Sequence, residues 1–520
     1  MMDTFLLCLI LALYAFALKL IGRKLGIIDP IILVIGGLLL AVTDSIPPPV
    51  LDPKLAMAIF LPPVLYQAAI SLSWREFTHN LRSILILSVG LVLVTAAAVA
   101  GVAYYYIGIP LAAAFVLGAI VSPPDAVAAT AVLARLRVPK RIVTILEGES
   151  LINDATALVF YVFAVAAVTS GVFHPTEALT EFVWVSIVGI VIGLAIGKFT
   201  IQFHRRIDDP LLEILLSLTV PFIAYLAAEH MHASGVLAVV AAGLLRGSYS
   251  SRVLSASTRI QLLSMWQIIV FTLNAIGFLL IGIELRVVIS SLSASGYNAS
   301  DLAAYAAAIT LTVILVRIAV VFPMAWLPRA LSKSFRERDP MPSMGTLAVM
   351  SWSGMRGIVS LVAALALPAS IPASAATSPA GDMVLPFPAR DLILFLSYTV
   401  LLVTLIGQGS TLGWLARKLN VELPASGHTQ GRHARARLRE AGIDALHRWK
   451  EGKSATAVER LSKHYEEMLS RLKAPDSDDA LEELIQQDAT DYRELARAAL
   501  RAERLRLMEM RRNGEIEDDL

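Results

Sequence analysis

Six ionisable residues stand in stretches that are otherwise apolar: Asp125, Glu147, Glu149, Asp154, Arg317 and Arg356. A charge at mid-bilayer costs at least ~2.5–3.5 kcal/mol on insertion scales, so each needs a partner or a task. Three of them fall in one dense segment, Glu147-Gly-Glu-Ser-Leu-Ile-Asn-Asp154. On a helix, Ser150 and Asp154 share a face, and Glu149 and Asn153 share the adjacent one. Carboxylate, hydroxyl and exposed backbone carbonyl are oxygen donors, the ligands that hard cations prefer, and Na+ falls in that class. Desolvation favours the neutral form of a carboxylate and brings proton exchange toward neutral pH. An aspartate that holds either a proton or a cation, and never both, is the core of an exchanger.

The elements that position these residues are read from hydropathy. The chain has 520 residues, 56% hydrophobic and 17% charged, with a mean hydropathy of +0.68. A soluble domain is less apolar and carries about 25% charged residues. A spanning helix needs roughly 20 mostly apolar residues. Thirteen segments qualify, near 4–22, 25–43, 56–72, 83–108, 111–134, 143–169, 182–203, 210–228, 233–249, 262–285, 301–327, 345–367 and 391–415. Alternate connections carry sixteen Lys and Arg on one side against Lys54, Arg286 and Arg390 on the other. By the positive-inside rule the N-terminus is outside and the tail cytoplasmic. Phe5–Leu18 has no basic stretch before it and reads as a retained first span rather than a signal peptide.

An odd number of spans permits an inverted repeat, spans 1–6 against 8–13, with an interrupted helix at the same place in each half. Span 5 holds Ser122-Pro123-Pro124-Asp125-Ala126, and span 12 holds Ser353-Gly354-Met355-Arg356-Gly357. Paired prolines remove backbone donors, and glycines tolerate unusual dihedrals. Irregular backbone at that depth survives only inside protein or along a polar cavity. The fold class expected is therefore an all-α polytopic membrane protein, two inverted six-helix repeats with broken helices 5 and 12, plus a helical cytoplasmic tail. The domains expected are residues 1–416 and 417–520.

The chain resembles the monovalent cation:proton antiporter 1 family, which includes bacterial Na+/H+ antiporters and animal sodium–proton exchangers. The resemblance rests on Phe60-Leu-Pro-Pro63, Ser122-Pro-Pro-Asp-Ala-Val-Ala128, Gly148-Glu-Ser-Leu-Ile-Asn-Asp-Ala155, His232-Ala-Ser-Gly235, Phe278-Leu-Leu-Ile-Gly282 and Gly354-Met-Arg-Gly357, in the family's order over about 400 residues. It implies that Asp154 alternately binds proton and cation. The cation- and proton-binding set it implies is Asp154, Asp125, Ser150, Asn153 and the backbone carbonyl of Pro124, with Asp154 and Ser150 as the monovalent-cation ligands. Asn153 matches the first member of the family's Asn-Asp pair, which implies electroneutral one-for-one exchange. Asp125 is expected to hydrogen-bond Asn153, and Glu149 with Arg356 to form a structural interhelical ion pair. No cofactor is expected, only transported Na+ (or Li+ or K+) and H+. The partners expected are membrane lipid and a second copy of the chain, with no nucleic acid, in the cell membrane. Two departures stand out: Asp125 precedes Ala126 rather than proline, and Gln67 stands where many members carry an acid.

Other residues have plainer readings. Glu147 lines a cytoplasmic funnel or lies at a helix start near water. Arg317 reads as a packing or snorkelling residue, His230 and His232 as solvated, Glu284 and Arg286 as interfacial. Trp74, Trp326 and Trp414 suit the aromatic belt. The lone Cys8 excludes intrachain disulfides and a cysteine-based metal site. The tail holds 18 of the 44 Lys and Arg and 21 of the 42 Asp and Glu. It opens on a basic stretch, Gly427 to Arg439, suited to anionic headgroups or to solvent. Two amphipathic regions follow, Ala441–Leu472 and Asp479–Asn513, and Leu481, Ile485, Tyr492, Leu495 and Leu505 could form a seam. An intramembrane aspartyl protease would also use two acids, but Asp154 lacks a Gly-x-Gly-Asp context and Arg356 would have no part in it. A channel or K+-selective antiporter is the alternative transporter reading. The chain contains no Gly-x-x-x-x-Gly-Lys-Ser/Thr loop for a nucleotide-driven pump.

Overall fold

The computed structural model describes residues 2–25, 29–42, 53–133, 138, 140–170, 175–207, 209–331, 341–372, 384–421, 437–438, 440–444, 461–467 and 469–470. The chain separates into two units, Met1–Glu422 and Leu423–Leu520. In the second, short helical stretches lie within 437–444 and 461–470; the seam from Leu481 to Leu505 lies outside the described residues.

The first unit is a helical bundle. Its helices are α1 (Met2–Leu25), α2 (Asp29–Val42), α3 (Pro53–Ser71), α4 (Trp74–Ile107, with π turns at Ile86–Gly90 and Ala103–Ile107), α5 (Leu111–Val121) and α6 (Ala126–Leu133). They continue as α7 (Lys140–Ser170), α8 (Pro175–His204), α9 (Pro210–His230), α10 (Gly235–Val253), α11 (Ala256–Ala294) and α12 (Ala299–Leu331). The last are α13 (Met344–Trp352), α14 (Ile358–Leu365) and α15 (Arg390–Lys418). A small antiparallel ribbon, β1 (Ser370–Pro372) with β2 (Val384–Pro386), adds strand to a fold expected to be all-α.

Local chemistry sets many of these ends. Asp209 accepts from the Leu211 amide at 2.8 Å with Pro210 in the first turn of α9, and Ser255 and Ser343 cap α11 and α13 in the same manner. Among the described residues, eight helices are long and apolar enough to cross a membrane, and three apolar helices are shorter. Expected spans 5 and 12 arrive as halves, α5–α6 and α13–α14, because helix stops at Ser122–Asp125 and again at Ser353–Gly357.

Burial ranks the helices. The apolar window of α15 is 67% buried, whereas that of α8 is 17% buried and presents Trp184, Phe199 and Phe203 outward. Outward-facing apolar side chains suit a surface solvated by lipid. Away from the breaks, Trp266 and Tyr66 are both fully buried, with ring centroids 5.5 Å apart. The Trp266 indole donates to Ser217 at 3.2 Å, so the apolar interior keeps this donor satisfied.

Candidate functional site

The two interruptions meet. The Asp125 amide donates to the Met355 carbonyl at 2.7 Å, tying one break to the other. The Asn153 amide donates to the Pro124 carbonyl at 3.0 Å, and the Ala126 amide donates to the Ser150 hydroxyl at 3.1 Å. Helix α7 thus repairs the break in α5–α6 with two side chains one turn apart. In the second break, the Arg356 amide donates to Thr404 on α15 at 3.2 Å, and the Arg356 guanidinium folds back on the Gly354 carbonyl at 2.9 Å. Backbone groups freed at this depth need such partners, because no water replaces them in hydrocarbon.

The expected Asp125–Asn153 hydrogen bond does not form. The Asn153 nitrogen is engaged by Pro124, whose carbonyl is released because proline and the chain break leave it outside the helix ladder. The glycines of the second break also act differently from expectation. Neither Gly354 nor Gly357 has a positive φ; what matters is their missing side chain. A Cβ on Gly357 would overlap the Asp125 carboxylate, and one on Gly354 would overlap the Arg317 side chain.

That packing corrects the ion pair. Glu149 pairs with Arg317, not Arg356: Nη1 to Oε1 is 2.6 Å and Nη2 to Oε2 is 3.2 Å. Arg317 Nε and Nη2 also donate to the Met350 carbonyl near the end of α13, at 3.2 and 3.1 Å. The two residues are 1% and 2% exposed, so this bidentate pair is fully inside the protein. Arg356 lies close enough to feel both charges, but its guanidinium donates through Nη1 to the Gly354 carbonyl and not to Glu149. Arg317 sits near the middle of α12, too far from either end to snorkel.

A cavity of about 230 Å³ lies beside the crossing. Asp125, Asp154, Ser150 and Pro123 line it from the broken region and α7, with Thr130 of α6 and Ser360 of α14. Gln67, Ser71 and Asn274 face it from α3 and α11. Glu147, exposed and two turns before Asp154, lies two turns inside α7 rather than at its start and reaches the edge of the cavity. Asp154 is 9% exposed and, among the described residues, has no hydrogen bond or ion pair. A carboxylate removed from water without a partner is costly as a bare anion; either a proton or a cation relieves it. No three His, Cys, Asp or Glu side chains converge as a metal cage among the described residues.

Outside the cavity, His230 and His232 are exposed as expected, and Trp74, Trp326 and Trp414 are 46–60% exposed. Glu284 is more than interfacial: the fully buried Tyr398 hydroxyl of α15 donates to its carboxylate. Asn274 and Ser360 were missed by sequence reasoning. They are uncharged and sit in apolar runs, so they carry no hydropathy penalty that would mark them.

Helix breaks that meet beside a buried carboxylate with no hydrogen bond or ion pair among the described residues, inside a bundle of lipid-compatible helices, define a multi-pass secondary ion carrier. The family model for the sodium/hydrogen exchanger transmembrane region matches residues 9–418. An uncharacterised Na(+)/H(+) exchanger of Mycobacterium tuberculosis (strain ATCC 25618 / H37Rv) is 33% identical over 501 residues, covering 96% of this chain and 90% of the relative. A sodium, potassium, lithium and rubidium/H(+) antiporter of Bacillus subtilis (strain 168) is 34% identical over 422 residues, covering 78% of this chain and 60% of the relative. The fold is similar to that of a sodium proton antiporter from Methanocaldococcus jannaschii at a TM-score of 0.59 and 17% identity, covering 80% of this chain and 99% of that one. The chain belongs to the sodium/hydrogen exchanger family, and it is a secondary transporter that exchanges a monovalent cation for H+.

Proposed function

We propose that Asp154 is the shared site, binding a proton or a monovalent cation in alternation, and that exchange is electroneutral and one for one. The observation that carries this reading is a buried carboxylate without a hydrogen-bond or ion-pair partner among the described residues, facing a cavity lined by oxygen-bearing side chains. Ser150 keeps a lone pair and a hydroxyl proton beyond its bond to Ala126, and the Pro124 carbonyl keeps a second lone pair beyond Asn153. Both can join Asp154 around a bare or partly hydrated ion. Asp125 shapes the cavity, and Glu149 is committed to Arg317 and carries no ion.

In this reading the chain crosses a cell membrane thirteen times as two inverted repeats, with the N-terminus outside. Residues 417–520 form a cytoplasmic tail, and two copies associate. The α4–α7 and α12–α15 bundle moves against α1–α3 and α8–α11. The cavity then opens toward the cytoplasm, because Glu147 at its edge lies near the Lys140 end of α7. Na+ is the principal cation, with Li+ and K+ as further substrates; the name of the Bacillus relative supports that breadth. The test is Asp154→Asn reconstituted in proteoliposomes. Na+-dependent proton movement should vanish while the protein elutes as the wild type does on size exclusion. Retained exchange refutes the assignment. Independently, a turnover rate that follows an imposed voltage refutes electroneutrality.

A further inference from the structure

We infer that Asn274 and Ser360 are additional cation ligands, and that they differ in when they serve. Resting on the Asp154 reading above, the inference assigns Ser360 to both access states and Asn274 to the inward-facing state alone. Both residues line the cavity that holds Asp154 and Ser150. Each carries a buried side-chain oxygen without a hydrogen-bond partner among the described residues, Oδ1 of Asn274 and Oγ of Ser360. Buried polar atoms are ordinarily paired, and an orphaned oxygen beside a cavity is an acceptor waiting for a donor or a cation.

The chemistry fits the cargo. A neutral amide oxygen and a hydroxyl supply oxygen ligands without adding charge, so they leave a one-for-one balance at Asp154 undisturbed. The side-chain amide of Asn turns about χ2 in a broad, roughly two-fold well, so its oxygen can swing toward an ion without a rotamer penalty at χ1. Gln67, on α3, faces the same cavity with its amide nitrogen donating to Ser71 at 3.3 Å, but its oxygen is not among the buried atoms left without a partner. Among the described residues that α3 and α11 bring to this cavity, Asn274 is the one whose side-chain oxygen is buried without a hydrogen-bond partner.

The difference in timing follows from the helices. Ser360 lies on α14, directly after the second break, and in the cycle proposed above α14 moves with α7. It travels with Asp154. Asn274 lies on α11, in the part that stays. When the bundle shifts, Ser360 remains beside the ion and the Asn274 oxygen is left behind. An ion on the cytoplasmic side is then held by one more ligand than an ion on the outer side, and losing that ligand eases its release outward.

The experiment uses the full-length protein in sidedness-controlled proteoliposomes, with the apparent KM for Na+ and Li+ measured separately on each face. Asn274→Leu should raise the inner-face KM for Na+ about tenfold and leave the outer-face value within twofold, since a ligand to a charged group has about that worth. Ser360→Ala should raise both values together. Asn274→Gln, which restores an amide oxygen, should recover part of the loss and change the Li+ to Na+ ratio, a readout that mere packing would not move. An unchanged inner-face KM in Asn274→Leu overturns the inference, and so does an equal rise on both faces. Asp154→Asn run alongside separates the two claims: if it is inactive while Asn274→Leu behaves as wild type, only the added ligand fails.

Discussion

Replacing Arg317 with Met strands Glu149, which is 1% exposed, and leaves the Met350 carbonyl with the Ser353 hydroxyl as its remaining side-chain donor. Four hydrogen bonds are lost together, two to the carboxylate and two to the carbonyl. Removing one member of a buried ion pair costs about 3–5 kcal/mol, chiefly because the survivor is left charged and dry. Replacing both members by apolar residues removes that penalty and is often close to neutral. A double-mutant cycle therefore separates the pair proper from its neighbours. Glu149→Met with Arg317→Met should be more stable than Arg317→Met alone, with a coupling above about 2 kcal/mol. The same cycle with Arg356→Met should give a coupling below about 1 kcal/mol, because Arg356 touches the Gly354 carbonyl and not Glu149. The assay is chemical denaturation in detergent followed by tryptophan fluorescence, with size exclusion to score folding. A larger coupling to Arg356 than to Arg317 would refute the reasoning.

Two further outcomes follow from the same geometry. Gly357→Ala places a methyl on the Asp125 carboxylate, so the two breaks must part and the Asp125–Met355 bond must stretch; overpacking of this kind costs about 1–3 kcal/mol, and transport should fall at least tenfold in protein that still elutes as folded. Tyr398→Phe removes the hydroxyl that donates to Glu284 across α11 and α15 and should lower stability by about 1.5–3 kcal/mol in the same denaturation assay, the worth of a hydrogen bond to a charged group.

The paired interruptions were readable because their signal is local. Pro123 and Pro124 withdraw donors in the chain itself, and a charge beside each break multiplies the cost of any bland explanation. The segment from Glu147 to Asp154 was readable for the same reason, since helical spacing alone places Ser150 with Asp154. The choice between Arg317 and Arg356 was not local. Both are arginines in apolar spans, and what decides between them is the bare backbone of Gly354, which lets the Arg317 side chain pass to Glu149. Depth in the span was an available clue, because a residue near the middle of α12 has no route to either surface. The Asn153 partner was misjudged by one residue, Pro124 in place of Asp125, a distinction set by how the broken backbone turns rather than by residue type. Asn274 left no trace in hydropathy; the cavity it shares with Asp154 is what marks it.

The central claim is that one carboxylate serves proton and cation in turn, and competition tests it most directly. With the purified protein in proteoliposomes, the apparent KM for Na+ is measured on one face as pH on that face is lowered. A shared site requires the KM to rise with proton concentration, approaching tenfold per pH unit once the site is mostly protonated, while the maximal rate at saturating Na+ holds. A KM that stays constant as pH falls, with only the maximal rate declining, would place proton and cation on separate groups and contradict the account.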